Sequence, residues 1–355
     1  MSEKKLNKIN FAIVGFGGIA KTHAIGAYIA NLNFKLGYSL NLKTVVTRKP
    51  WCSSVNGVSN TLSLEEVLED RDIDFIDICT PNDSHLEIIE KAVKFKKPVY
   101  CEKPLSSNLK DAETMEELVS KSMIKNAAAL TYRFVPAIRL IKNEIEKGTI
   151  GDIIDFKIKL YHKSYLDPNK KPSWRTDKSS GGGALMDLGV HLIDIVNFTL
   201  GDIENAECST RIFFKEKTSV DEIAACRLYL KNNVKGNMEV SRIFADKDEP
   251  TTYVIYGSRG SIKMSSDKPY TIQIYDYEND ITKIIGPSGA GNMLNYYPGE
   301  RSSMGFFQDS HTSSLVNFSN IIFGLKDDGC TPSFKDALKA QRIIDLCYED
   351  KYAVK

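Results

Sequence analysis

The feature that most constrains the fold is an apolar segment followed by a glycine-rich turn near the N-terminus. Residues 9–14 form a short apolar run rich in β-branched residues, and a helical pattern then extends to about Leu36. The turn between them is Gly15-Phe16-Gly17-Gly18-Ile19-Ala20. Here Gly15 permits a tight turn, Gly17 lets the backbone approach a pyrophosphate, and Ala20 lets helix and strand pack closely. Because a helix N-terminus offers unpaired N–H groups to phosphates, we predict a dinucleotide site.

Strands and helices alternate through the first third of the chain. Further strand patterns lie at 43–47, 74–79, 99–103 and 127–131, and helical patterns separate most of them. This order predicts an α/β domain over residues 1–130, built as a Rossmann doubly wound parallel sheet. The second strand ends at Thr47-Arg48-Lys49. Folds that prefer NAD usually carry an acid there, so the guanidinium and hydroxyl favour NADP over NAD.

The pattern changes after Pro136. Alternating apolar and polar segments lie at 153–161, 206–214, 223–230, 235–243, 252–256 and 271–277. Their short connections predict a C-terminal α+β domain over 131–355, with an open, largely antiparallel sheet. If helices leave its outer face uncovered, that face is an oligomer interface, and we expect a homodimer or a homotetramer. Residues 287–305, rich in Gly, Ser and Asn, are expected to form a mobile loop.

Composition excludes several classes of partner. The chain has 355 residues and a formal net charge of +1, so nothing favours nucleic acid or a membrane surface. The N-terminus lacks the pattern of a signal peptide, which predicts a cytoplasmic protein. Seven cysteines show neither C-x-x-C spacing nor a disulfide framework. Cys79 and Cys101 end predicted strands, but buried cysteine acts more often as a small hydrophobe than as a nucleophile.

Two predicted strand ends carry chemistry. The segment 97–105 ends an apolar run at Glu102-Lys103-Pro104, where the proline forces the backbone to turn beside the charges. The preceding strand ends at Thr80-Pro81-Asn82, and His85 opens the next helix. Ligands of parallel sheets lie beyond the carboxyl ends of strands, so both segments are expected to face the cofactor. Capping alone would also explain the residues from 80 to 85.

A glycine-rich segment marks the second domain. Gly181-Gly182-Gly183 precedes a helical pattern that places Asp187 and His191 on one face, with Asp194 three residues further. One alternative is a core histidine satisfied by neighbouring carboxylates. A metal site is disfavoured because no third soft ligand is nearby, and we predict no metal.

These motifs together resemble the Gfo/Idh/MocA oxidoreductases, a family that includes glucose-fructose oxidoreductase and inositol dehydrogenase. The shared motifs, in order, are the glycine turn, Thr80-Pro81-Asn82 with His85, Glu102-Lys103-Pro104, Tyr132-Arg133-Phe134 and Asp187-x-x-x-His191. The resemblance covers nearly the whole chain. It implies that Lys103 and His191 are catalytic, with Asp187 as their companion. The long first helix and the missing acid after the second strand depart from the family pattern.

The resemblance implies an NAD(P)-dependent oxidoreductase acting on a secondary hydroxyl or ketone of a sugar, polyol or related molecule. His191 is the expected base for the hydroxyl proton, and Lys103 is expected to hydrogen-bond the developing alkoxide. Asp187 would bind a substrate hydroxyl or orient the imidazole, and Asp194 would hold the other ring nitrogen. Further candidate sugar contacts are Arg133, Tyr161, Trp174 and Arg175.

Two alternatives remain open. One is a non-catalytic dinucleotide-binding sensor, which would have no need of the Lys103 and His191 pair. The other uses the nicotinamide only transiently, either for glycoside cleavage or for hydride exchange between sugars. Retention of the cofactor through purification would favour this second alternative.

Overall fold

The computed structural model describes residues 7–50, 57–167, 169, 173–245, 251–286, 296–327 and 329–349. These residues form two compact units. The first draws its residues from Met1–Ser106, Lys110–Thr131 and Asn295–Lys335, and the second from Ser107–Leu109, Tyr132–Leu294 and Asp336–Lys355. The predicted second domain spans residues 131–355, so the return of the segment 295–335 to the first unit differs from that prediction.

The first unit contains a parallel sheet. Its strands are β1 (Asn7–Val14), β2 (Tyr38–Val46), β3 (Ser59–Thr61), β4 (Phe75–Ile78), β5 (Val99–Cys101) and β6 (Asn126–Ala128). Their order across the sheet is β3-β2-β1-β4-β5-β6, and every neighbouring pair is parallel. This is the strand order of a doubly wound dinucleotide-binding fold, which confirms the fold class expected for the first third of the chain.

The helices of the described residues occur in both units. They are α1 (Gly18–Asn33), α2 (Leu64–Glu69), α3 (His85–Lys94), α4 (Leu109–Ser122), α5 (Pro136–Glu146), α6 (Val190–Leu200), α7 (Phe306–Phe323) and α8 (Phe334–Glu349). Helix α1 ends three residues before the expected end at Leu36, and Gly37 adopts a φ of +75° before β2 begins. None of these helices is long and apolar enough to cross a membrane.

Helix α7 is the element that brings residues 295–335 into the first unit. Leu315, Val316 and Phe318 belong to the core cluster of that unit, and the Phe318 ring lies edge-on to Phe75 at 5.3 Å. Towards α1 the helix presents small side chains, and a Cβ at Gly26 would lie 3.3 Å from the Cα of Thr312. The absence of a side chain at Gly26 therefore permits the close approach of the two helices.

The second unit contains a mixed sheet. Its strands are β7 (Ile153–Tyr161), β8 (Ile203–Arg211), β9 (Ile223–Leu230), β10 (Lys235–Ser241), β11 (Thr252–Gly257), β12 (Gly260–Ser265), β13 (Ile272–Asp276) and β14 (Ile281–Ile285). The order is β14-β13-β12-β11-β7-β10-β9-β8. The pair β7 and β10 is parallel and the others are antiparallel, which confirms the largely antiparallel sheet. The sequence analysis did not identify β12 and β14.

The cysteines depart in one respect from the expectation of no disulfide. Cys208 and Cys226 face each other across β8 and β9 and are joined by a disulfide. Their separation of 18 residues carries no framework pattern, and only strand register brings them together. Burial raises the pKa of Cys79 and Cys101, so these thiols stay protonated at neutral pH and do not act as nucleophiles. Of the expected loop 287–305, residues 287–295 lie outside the described residues, and Glu300–Ser302 form a short 3₁₀ turn.

Candidate functional site

The glycine turn leaves room for a phosphate at the start of α1. Gly15 has a φ of +84°, and a Cβ there would lie 2.9 Å from Thr80 Cγ2, so this position requires glycine. At Gly17 and Gly18, by contrast, an added Cβ would meet no atom within 4 Å. No side chain caps the helix N-terminus at Gly17. The first N–H groups of α1 are thus accessible to an anionic ligand, and the residues fit a dinucleotide pyrophosphate.

The end of β2 carries the residues expected to read the ribose. Thr47 Oγ1 donates to Lys49 O at 2.6 Å and accepts from Asn60 Nδ2 at 2.8 Å, so its hydroxyl is fixed in the turn. Arg48 is exposed. No carboxylate occurs from 47 to 50, and the preference for NADP that this suggests stays a prediction.

The loop after β4 is braced by His85. The His85 ring is fully buried, with Nδ1 2.8 Å from Leu105 O and Nε2 3.1 Å from Thr80 O. Burial lowers the pKa of His85, so the ring is neutral at pH 7. Both ring nitrogens of His85 face protein carbonyls, and its contact with a cofactor stays a prediction. The two contacts link the loop at Thr80-Pro81-Asn82 to the segment after Glu102-Lys103-Pro104.

Glu102 and Lys103 occupy the turn after β5. Glu102 is buried, its backbone N–H donates to Ile78 O at 2.9 Å, and its Oε2 accepts from the backbone N–H of Lys103 at 3.2 Å. The Lys103 side chain is partly exposed, and the peptide bond to Pro104 is cis. The strand end thus holds the backbone of Lys103, whose charge lies close enough to lower the pKa of Glu102.

A buried cluster beneath this turn was not found by the sequence analysis. His23 of α1 has Nδ1 2.8 Å from Asp77 Oδ2 and Nε2 3.1 Å from Nδ1 of His311 in α7. Its Nε2 also lies 3.2 Å from Glu102 Oε1. One signal was present in the sequence: Asp77 is a charged residue inside an apolar strand, where an acid is tolerated only with a buried partner.

In the second unit, Asp187 lies in a single π-helical turn, Leu185–Gly189, that leads into α6. Such turns are rare and often occur at functional sites. The Asp187 carboxylate forms an ion pair with Arg242, and Nε of Arg175 lies 3.4 Å from its Oδ2. Burial lowers the pKa of Arg242 to about 10, so the guanidinium remains charged at pH 7. Arg242 follows directly from the end of β10, and the sequence analysis did not single it out.

His191 lies one turn further along, at the start of α6. Its ring is buried and stacks on the Tyr132 ring, with centroids 4.5 Å apart and an interplanar angle of 12°. The neighbouring residue Arg133 makes a bidentate pair with Asp194, with Nε 2.8 Å from Oδ2 and an Nη 2.6 Å from Oδ1. Tyr132 and Arg133 therefore contact α6 at two residues, His191, which is the candidate base, and Asp194.

Two sequence expectations change at this point. Asp194 was expected to hold His191, but its two oxygens accept from Arg133 instead. Arg133 was expected to contact a sugar, but its side chain is only 6% exposed and also lies 3.3 Å from Asp336. The residues are 61 positions apart, and local helical spacing gave no indication of this pair.

The remaining candidate contacts divide between two places. Trp174 and Arg175 lie in the 3₁₀ turn Trp174–Thr176, where the guanidinium sits 4.2 Å from the Trp174 ring centre. The backbone of Arg175 accepts from Gly183 N at 3.2 Å, so this turn packs on the glycine-rich segment. Tyr161, by contrast, points to the opposite face of β7 from the buried Leu160 and lies among Lys159 and Glu239. The assignment of Tyr161 as a sugar contact stays a prediction.

The parallel sheet and its open glycine turn define a doubly wound dinucleotide-binding fold. Two family models match the chain: the oxidoreductase family with an NAD-binding Rossmann fold over residues 9–125, and the GFO/IDH/MocA C-terminal domain over 138–263. The chain therefore belongs to the Gfo/Idh/MocA family and is an NAD(P)-dependent oxidoreductase acting on CH–OH groups.

Individual relatives extend the comparison. Levoglucosan dehydrogenase of Pseudarthrobacter phenanthrenivorans is 28% identical over 298 residues, which are 76% of each chain. Glucose-6-phosphate 3-dehydrogenase of Bacillus subtilis is 26% identical over 348 residues, which are 95% of each chain. Among solved structures, a levoglucosan dehydrogenase in complex with NADH and levoglucosan matches with a TM-score of 0.87 and 24% identity, over 97% of each chain. This last similarity bears on the fold alone.

Proposed function

We propose that the protein transfers a hydride between a nicotinamide dinucleotide and a secondary hydroxyl or ketone of a sugar or polyol. The observation that carries the proposal is the grouping of Asp187 and His191 in the second unit, at the π turn and the start of α6. In the first unit, Lys103 at the end of β5 is the other residue proposed to act in the reaction. The names of two relatives, levoglucosan dehydrogenase and glucose-6-phosphate 3-dehydrogenase, support a sugar as the substrate class.

Each residue has a defined part in the proposed reaction. When bound, the dinucleotide supplies the hydride acceptor or donor. His191 takes the hydroxyl proton, since histidine is the side chain that most often acts as a general base. Lys103 donates a hydrogen bond to the oxygen that develops negative charge. Asp187, paired with Arg242, is a fixed acceptor for a neighbouring substrate hydroxyl.

We infer a preference for NADP from the turn after β2. Arg48 is exposed there and no acid stands beside it, so a 2′-phosphate would meet a cation and no repelling charge. Thr47 is already engaged with Lys49 and Asn60, which leaves Arg48 as the discriminating side chain.

We also propose that the open face of the second sheet pairs with another copy of the chain. On β7 the side chains of Lys157 and Lys159 lie on this face, with Glu239 on the adjacent strand β10 and Glu207 two strands further on, in β8. Rows of opposite charge on one face are self-complementary about a twofold axis. Light scattering should give a dimer or tetramer, and the K157E/K159E variant should be monomeric while it stays folded. A wild-type monomer would contradict this proposal.

The reduction of NAD or NADP at 340 nm tests the proposed reaction. Purified protein is offered each dinucleotide with a panel of anhydrosugars, aldoses, sugar phosphates, inositols and sugar acids. We expect reduction with one class of sugar and one dinucleotide. No reduction across the panel, by protein shown to bind the dinucleotide, would contradict the proposal. A dinucleotide that stays bound through purification and cycles without net reduction would favour the transient-redox alternative.

A further inference from the structure

Five side chains of the first unit form a buried cluster that the proposed reaction does not use directly. His23 and His311 come from α1 and α7, Asp77 and Cys79 from β4 and the residue after it, and Glu102 from the turn after β5. His23, Asp77 and His311 are essentially inaccessible to solvent. A buried charged group is costly unless it is paired, so the charges of this cluster must balance internally or against Lys103.

The geometry points to His23 as a positioning residue that, through Glu102, holds the backbone of Lys103. We propose that His23 is an imidazolium placed between two carboxylates. Its Nδ1–H donates to Asp77 at 2.8 Å, and its Nε2–H donates to His311 Nδ1 at 3.1 Å. Glu102 Oε1 lies 3.2 Å from the same Nε2 and is held there by charge. The proposal rests on the function proposed above, in which Lys103 is catalytic.

The second oxygen of Glu102 transmits the effect. Oε2 accepts the backbone N–H of Lys103 at 3.2 Å, so the carboxylate spans from the buried His23 to the residue that reaches the substrate. With one oxygen fixed by an ion pair and the other by a backbone hydrogen bond, the Glu102 side chain has little rotational freedom. A shift of about 1 Å in a catalytic group lowers a rate by about a hundredfold, and this arrangement limits such a shift.

The electrostatics agree with this arrangement. Burial lowers the pKa of His23, but Asp77 opposes that effect and the pKa lies well above its ordinary value. Burial raises the pKa of Glu102, and contact with His23 outweighs it and brings the value to about 2. Burial and the charge of His23 together lower the pKa of His311 to about 3. His311 is therefore neutral, and the proposal assigns it the tautomer protonated at Nε2, whose Nδ1 accepts from His23.

Two further side chains of the described residues contact His23, and both agree with its assignment as an imidazolium. Cys79 Sγ lies 3.4 Å from His23 Nδ1, and its thiol stays protonated because burial raises its pKa. The Tyr100 ring contacts the His23 ring edge-on at 5.5 Å, while its hydroxyl is hydrogen-bonded to Ser314. His23, Glu102 and His311 also present three ligand atoms within 4.8 Å of one another, so a metal ion is the competing assignment.

The first experiment needs no substrate. The chain has five histidines, so ¹⁵N-imidazole NMR of the labelled protein resolves each ring, and single variants assign them. We expect one imidazolium that keeps both nitrogens protonated at pH values where an ordinary histidine is neutral, and that disappears in H23Q. We also expect the Lys103 amide resonance to move in H23Q and in E102Q. A neutral His23 ring that titrates near its ordinary value would overturn the proposal. One equivalent of zinc, found by metal analysis and removed by a chelator, would overturn it as well.

A double-mutant cycle with the substrate found above tests the link through Glu102. We expect H23Q and E102Q each to lower kcat about 10- to 100-fold, with KM and dinucleotide affinity changed less than about threefold. The double variant should be no slower than E102Q alone, because His23 acts through that carboxylate. Losses that multiply would overturn the proposal.

Tyr100→Phe is the matched control. It removes a buried hydrogen bond beside the cluster without touching its charges. We expect it to lower stability while the Lys103 amide resonance and kcat stay near wild type. Equal loss of kcat in Y100F and H23Q would identify a general packing effect and overturn the proposal. If the wild-type protein reduces no dinucleotide, the proposed function fails, and the NMR measurements still decide the charge state of His23 and its link to Lys103.

Discussion

Replacement of Arg133 by methionine separates two interpretations of this residue. The sequence analysis predicts a sugar contact, for which R133M would raise KM and leave stability near wild type. In the structure the side chain of Arg133 is 6% exposed to solvent and that of Asp194 is 2% exposed, and two charge-assisted hydrogen bonds join them. Each such bond contributes about 1.5–3 kcal/mol, and removal of one partner of a buried pair typically costs about 3–5 kcal/mol.

We therefore expect R133M to lower the free energy of unfolding by about 3–5 kcal/mol at pH 7, measured by urea denaturation. The loss arises from Asp194, which stays buried without its cation. An isolated buried carboxyl has a raised pKa and takes up a proton more readily in the folded state than in the unfolded state. The deficit of R133M should therefore shrink as the pH falls from 7 towards 5.

The matched control removes both charges. R133M/D194L should recover most of the lost stability, because a buried ion pair replaced by apolar side chains is often neutral or stabilising. If the double variant loses as much free energy of unfolding as R133M does, the loss in R133M does not come from the uncompensated charge of Asp194. An R133M protein with wild-type stability and a raised KM would refute the structural interpretation and restore the predicted sugar contact.

Four further predictions follow from the sites described above. K103M and H191A should each lower the rate of hydride transfer about a hundredfold or more, while fluorescence titration shows dinucleotide binding within about threefold of wild type; near-normal turnover would exclude the acid–base assignment. G17V should fold normally, since a Cβ at Gly17 meets no atom within 4 Å, but should weaken dinucleotide binding at least about tenfold, and unchanged affinity would place the phosphates elsewhere. R48S should shift the ratio of kcat/KM for NADP and NAD about tenfold towards NAD; a constant ratio would remove Arg48 from cofactor selection. The pKa of Glu102, about 2, lies below its ordinary 4.5, so the ionised carboxylate stabilises the fold above pH 4.5 and loses this effect as the pH falls towards 2. The free energy of unfolding of E102Q should therefore fall less steeply than that of wild type between pH 4.5 and 2. An equally steep fall in both proteins would argue against the His23 contact.

The features predictable from sequence are those with a local signal. The turn from Gly15 to Ala20 follows directly from strand, glycine and helix patterns, and the alternation along β7 places Phe156, Ile158 and Leu160 in the core. Alternation of strands and helices gave the parallel sheet. These patterns depend on periods of two and 3.6 residues, which a single stretch of sequence contains in full.

Helix α7 shows why other parts were not predicted. Its buried positions include Ser310, Thr312 and Ser319, so its sequence reads as polar although the helix is internal. These hydroxyls are satisfied within the helix, as Thr312 Oγ1 donates to Gln308 O at 2.9 Å and Ser319 Oγ to Leu315 O at 2.8 Å. Such internal bonds let polar side chains lie in a core at little cost, and hydropathy does not register them.

The charged contacts of the candidate site were missed for a different reason. His23 and His311 are 288 positions apart, and Arg133 and Asp194 are 61 apart. No local pattern links such residues, since only the completed topology brings them together. Helical spacing predicted that Asp194 would hydrogen-bond to His191, but Asp194 accepts instead from Arg133, which lies in a turn far away in the sequence.

The return of residues 295–335 to the first unit has a consequence for how the protein is made. When the ribosome has released the strands of the parallel sheet, Leu315, Val316 and Phe318 of its core have not yet been synthesised. The nascent nucleotide-binding unit therefore cannot complete its core, and part of its apolar surface stays exposed, until the intervening 160 or so residues have been synthesised. Chains terminated before residue 306 would lack both α7 and His311, so their first unit would keep apolar core surface exposed. We therefore expect such truncated chains to bind chaperones and to be degraded faster than the full chain.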